Sequence, residues 1–214
     1  MDKEINKDTI KEISSYNWEV SVGVTFASLM GAIALFFTGA VISQYKSFDG
    51  TMRIPLLFLI ISTFGYIFAA SIYSNAGTEI TLKKISKVKK YLGFANNIFE
   101  FLGLYLLIIA TPLVVGSLTD DNFLRISTIC ISLIGLTLYS SSMFSILHAE
   151  VKNPIRKHLL TALIVLMAIF LYISQYFQQF GDFIPYNYVA VALLAVLFTI
   201  TAIFCRRSER YHEA

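Results

Sequence analysis

Glu100 is the one ionisable group that falls well inside a long apolar stretch of this 214-residue chain, with Asn96 and Asn97 shortly before it. Residues three and four apart are neighbours on a helix surface, so the acid and both carboxamides would border one another. A charge in hydrocarbon costs roughly 2.5 kcal/mol or more, so it faces the bundle interior or water. The chemistry this trio suits is binding a cation or a proton. The plainer alternative is a polar fastener, hydrogen-bonded to a neighbouring helix.

Pro112 lies further along the same stretch. It deprives the Ile108 carbonyl of its intrahelical partner and should kink the helix, a candidate gating element, with Thr111 placed to satisfy the freed group. Thr128, Ser132, Gly135, Tyr139 and Ser142 recur at helical spacing in the next apolar stretch, and Ser140, Ser141 and Ser145 widen that polar face. It is expected either to line a polar path or to pack through interhelical hydrogen bonds. Gly23, Ala27 and Gly31 form a small-residue ridge that lets helix backbones approach closely, within the subunit or across an oligomer interface. Ala192, Ala195, Thr199 and Ala202 make a similar stripe near the C-terminus.

Other chemistry is not signalled. His148, His158 and His212 lie outside the apolar stretches and have no zinc-ligand spacing, and no phosphate-binding glycine loop occurs. The serines lack a nearby intramembrane base, so neither an enzyme nor a cofactor is expected, and no metal site is assigned. Cys130 falls mid-span and Cys205 at a span's end, so a disulfide between them is not expected.

The elements that must position these residues follow from composition. Hydrophobic residues make up 56% of the chain and charged ones only 14%, against about a quarter charged in a soluble domain. Mean hydropathy is +0.67. A bilayer core of about 30 Å needs roughly 20 apolar residues, and six stretches qualify: 20–43, 54–73, 94–118, 126–147, 159–177 and 186–205. Backbone groups in lipid must bond within their own segment, so each stretch is expected to be helical. The expected fold is therefore an all-α polytopic integral membrane protein. Short connections make it a six-helix bundle of three antiparallel hairpins, flanked by a polar segment 1–19 and a basic tail 206–214.

Of 17 Lys and Arg residues, all but Lys46, Arg53 and Arg125 fall on one side of that arrangement. The positive-inside rule then places both termini in the cytoplasm of a cell-membrane protein. The same rule accounts for the net charge of +3, so no nucleic-acid partner is expected. The opposite loops are acidic and aromatic, at 48–49, 120–121 and 180–183. Ile42-Ser43-Gln44-Tyr45 recurs as Ile173-Ser174-Gln175-Tyr176, which admits a parallel duplication of hairpins. Residues 81–92 read as a basic amphipathic helix in the interface, with Lys83, Lys84, Lys87 and Lys90 meeting lipid headgroups. Residues 8–16 read as a second short helix.

The functional expectation is a small homo-oligomeric channel or carrier for a cation or proton, using Glu100, Asn96 and Asn97. The competing expectation is a membrane scaffold or sensor whose basic loops recruit a cytosolic partner.

Overall fold

The computed structural model describes residues 7–44, 50–82, 84–178 and 186–210. Among them there is no strand, and six helices are long and apolar enough to cross a membrane: Ile13–Ser43, Arg53–Thr81, Ile85–Leu118, Asn122–Glu150, Pro154–Phe177 and Tyr186–Ser208. This is the composition of a multi-pass membrane protein. Lys83, Tyr45 and the acidic-aromatic loops at 48–49 and 180–183 lie outside the described residues.

The first helix, α1 (Lys7–Gln44), is 38 residues long, about 57 Å at 1.5 Å per residue. It takes in residues 8–16, so no separate N-terminal helix forms. After a 3-10 turn at Gly50–Met52 comes α2 (Arg53–Thr81). Gly23 lies against the ring of Tyr73, Gly31 against Cβ of Tyr66, and the Thr38 and Thr63 hydroxyls are 3.1 Å apart. These contacts run in opposite order along the two helices, so α1 and α2 are antiparallel. The ridge of Gly23, Ala27 and Gly31 thus packs inside the chain, with Ala27 and Ala34 fully buried. The stripe of Ala192, Ala195, Thr199 and Ala202 instead faces outward.

The third span is the axis of the fold. It runs without interruption from Ile85 to Leu118, as α3 (Ile85–Asn97), a seven-residue π-helical segment (Ile98–Leu104) and α4 (Tyr105–Leu118). One side packs on α2. The other meets the remaining helices: α5 (Asn122–Ser141) and α7 (Pro154–Gln178) against α4, and α8 (Tyr186–Arg210) against α3 and the π segment. Phe101 and Phe204 stack at 5.7 Å between ring centroids, and Gly93 leaves room for the Ser208 side chain.

The basic residues 84–92 belong to this rod rather than forming an isolated interfacial helix. Val88 and Leu92 are buried in a cluster with Val20, Tyr73, Ala76 and Ile80. The apolar side of the amphipathic helix expected over 81–92 is covered by protein at these two positions because α1 and α2 extend alongside it, while Leu82 stays exposed. Lys84 and Lys87 remain exposed, 4.0 and 3.9 Å from the Glu79 carboxylate, and Lys90 lies over the Phe94 ring.

The fourth span departs from the continuous helix expected over 126–147. α5 ends at Ser141, Ser142 turns to an extended conformation, and a short helix, α6 (Ile146–Glu150), follows. Serine hydroxyls compete with the backbone for its own hydrogen bonds. Here Ser142 Oγ donates to the Tyr139 carbonyl at 2.7 Å, just where the helix stops.

Candidate functional site: an enclosed carboxyl beside a break in the fourth span

Glu100 is 1% exposed and sits in the π-helical segment. There the Tyr105 N–H reaches back five residues to the Glu100 carbonyl. Such wide turns occur in short stretches, frequently at functional sites. The winding is locked from α2. Ser62 Oγ donates to the Gly103 carbonyl at 2.8 Å, and Gly65 lies so close that an added Cβ would stand 2.9 Å from the Gly103 nitrogen.

Both carboxylate oxygens of Glu100 accept hydrogen bonds from the break in the fourth span. Ser145 Oγ donates to Oε1 at 3.0 Å, and the Ile146 N–H donates to Oε2 at 2.7 Å. Charge-assisted bonds of this kind are the strong ones. The Tyr105 hydroxyl lies beside the carboxylate and donates to Ser140 Oγ at 3.2 Å. Glu100 makes no ion pair among the described residues.

The two asparagines part company. Asn97 is fully buried, and neither Oδ1 nor Nδ2 has a hydrogen-bond partner among the described residues. Asn96 instead accepts from the Tyr73 hydroxyl, tying α3 to α2. Of the two asparagines, Asn97 alone has both side-chain polar atoms buried without a partner among the described residues.

Ser132, Leu136 and Ser140 lie four residues apart along one face of α5, turned toward the third span. Ser132 Oγ donates to the Ile108 carbonyl at 3.0 Å, which is the group Pro112 leaves unpaired, and it pairs with the Tyr172 hydroxyl at 2.8 Å. Thr111, expected to satisfy that carbonyl, donates to Leu107 instead. Between the Ser132 and Ser140 layers lie Leu106, Ile109 and Leu136, all fully buried. Two polar clusters are thus separated by an apolar plug. Elsewhere on that face of α5, Thr128 bonds to its own helix, Gly135 has open space beside it, and Ser142 caps α5. Tyr139 is half-buried, its ring edge-on to that of Tyr105.

Beyond Ser132 is a cavity of about 20 Å³ lined by Pro112, Gly116, Arg125, Ile129, Tyr172, Gln175 and Tyr176, enough for one water. Arg125 is buried, donating to the carbonyls of Thr119 at 2.5 Å and Gly116 at 2.8 Å and to Asp120 at 2.8 Å. Gln175 Nε2 donates to the Leu113 carbonyl at 2.8 Å and Ser117 Oγ at 3.0 Å. Sequence reasoning counted Arg125 only as a loop charge. Its role as a clamp on the end of α4 needed the fold to bring Gly116 and Thr119 within reach. Ser145 was visible as part of a serine-rich face, whereas the Ile146 amide and the π winding carry no residue-type signal.

Among the described residues no group of three or more His, Cys, Asp or Glu side chains comes together as a metal site. The chain matches no family model, no curated protein and no solved structure.

Proposed function

We propose that this protein is a small membrane transporter or channel for a cation or protons, with Glu100 as the residue that binds the permeating species. The observation that carries the reading is an enclosed carboxyl, without a counter-cation among the described residues, three residues after a buried Asn97 whose amide is unpartnered among them. Buried ionisable groups inside membrane spans are costly and mark ion and proton routes. The Leu106–Ile109–Leu136 plug between two polar layers corresponds to a closed route. Pro112 stands where a change in helix bend would separate Ser132 from Ile108.

In this reading the spans form three antiparallel hairpins with both termini in the cytoplasm of a cell-membrane protein, as the lysine distribution supports. Exposed Lys84 and Lys87, with Lys90 beside them, then meet anionic headgroups, and the functional unit is a homo-oligomer. The test is reconstitution into vesicles carrying trapped dyes for H⁺, Na⁺ and K⁺. Flux of at least one species above protein-free vesicles, lost in Glu100→Gln, is the expected result. Equal rates for wild type, variant and empty vesicles refute it.

A second reading has its own observation. Because Ser145 and Ile146 satisfy both carboxylate oxygens, Glu100 also fits a pure fastener holding the fourth-span break. The protein would then be a scaffold whose basic end recruits a cytosolic partner. Absent flux together with a stoichiometric soluble partner would favour it.

A further inference from the structure

We infer that the species handled at Glu100 is the proton rather than a metal cation, and that it is taken up on Oε1. The inference rests on the transport reading above and assigns its substrate. A hard metal cation is held by a shell of six or more oxygens whose lone pairs point at it. At Glu100 both carboxylate oxygens already receive donors, Ser145 Oγ–H on Oε1 and Ile146 N–H on Oε2. An N–H directed at Oε2 presents positive charge to that oxygen, which a metal ion would have to displace.

The two donors are not equivalent. A backbone N–H can only donate, whereas a hydroxyl both donates and accepts and rotates to suit. When a proton binds Oε1, that oxygen becomes an O–H donor, and Ser145 Oγ rotates to accept from it. The Ile146 N–H continues to donate to Oε2. No bond between heavy atoms changes. Proton uptake gives a neutral carboxylic acid whose O–H donates to Ser145 Oγ, and release returns the hydroxyl to its donating orientation.

Most of the polar side chains around the carboxyl are hydroxyls. Tyr73 from α2, Tyr105 from α4 and Tyr139 from α5 lie near the carboxyl, with Tyr66 also close to Tyr139. Glu150 from α6 is the other acid whose charge reaches Glu100, the charge of Arg207 of α8 reaches Glu150, and that of Glu19 of α1 reaches Tyr73. Hydroxyls relay protons, and Tyr105 to Ser140 at 3.2 Å continues the set away from Glu100 toward the plug.

The experiment uses the full chain in vesicles under imposed H⁺, Na⁺ or K⁺ gradients with the membrane potential clamped, alongside an infrared pH titration of the same vesicles. Expected are H⁺ flux alone, falling to the protein-free rate in Glu100→Gln, and a protonated-carboxyl C=O band that rises on acidification and is missing in Glu100→Gln. Ser145→Ala should keep the band but shift its frequency, because the partner of Oε1 is gone. Flux of Na⁺ or K⁺ that depends on Glu100 overturns the proton assignment while leaving transport intact. An unshifted band in Ser145→Ala overturns the assignment to Oε1. No flux of any ion overturns the transport reading, and the proton assignment with it.

Discussion

Gly65→Ala is the sharpest test of how the site is built, because three glycines in helices of this protein predict opposite signs. A methyl at position 65 would stand 2.9 Å from the Gly103 nitrogen and the Leu102 carbonyl carbon and 3.0 Å from the Leu102 oxygen. All three are backbone atoms of the π segment and cannot swing aside. Overpacking of this kind costs about 1–3 kcal/mol, and pushing α2 away weakens the Ser62–Gly103 bond, about 0.6 kcal/mol for an interhelical hydrogen bond in a membrane protein. Removing a helical glycine returns about 0.5–1 kcal/mol. The net is a loss of between about 0.6 and 3 kcal/mol. At Gly39 and Gly135 nothing lies within 4 Å of the added methyl, so only the favourable term remains and both Ala variants should match or exceed wild type. Reversible unfolding in mixed micelles across a denaturing-detergent series measures all three. A Gly65→Ala protein as stable as Gly135→Ala would refute the claim that close backbone approach holds the π winding.

Other substitutions probe the same architecture. Ser132→Ala should cost about 0.6–1.5 kcal/mol in that assay by orphaning the Ile108 carbonyl freed by Pro112, and Tyr172→Phe should add less than its own single effect in that background, since the two hydroxyls share one network. Arg125→Lys should destabilise nearly as much as Arg125→Ala, because one ammonium cannot reproduce the fork that reaches Thr119, Gly116 and Asp120 together; Asp120→Asn, at a side chain 96% exposed, should be close to neutral in the same melts. For the orientation, Glu4→Cys and Glu213→Cys in a Cys130→Ser/Cys205→Ser background should both react with an impermeant maleimide only after cells are permeabilised, and labelling of one end in intact cells would reverse that part of the proposal.

Several elements were legible before any coordinates. A run of about 20 apolar residues has one way to satisfy its backbone in lipid, so six long helices follow from composition alone. The buried acid was also legible, since no other carboxyl sits so far from a polar flank. Pro112 announced an unpaired carbonyl at Ile108, though not its partner: Thr111 was adjacent in sequence, but Ser132 lies on the face of α5 that packs there. Helix ends were read less well. The extension of α2 and α3 past the apolar runs depends on Val88 and Leu92 finding protein to pack on, and the break after Ser141 depends on Glu100 receiving the freed Ile146 amide.

Residue type and spacing by themselves determined that the chain is helical, with stretches long and apolar enough to cross a membrane, and that one carboxyl must be accommodated among them, because hydrophobic length and charge placement are one-dimensional properties. Only the tertiary structure decided which face of each helix is inward, that Asn97 rather than Asn96 is left unpaired, and that donors from a broken helix meet the acid. Those outcomes rest on which backbones approach within a few ångströms, at Gly65 and Gly103 above all, and such distances belong to pairs of segments far apart along the chain.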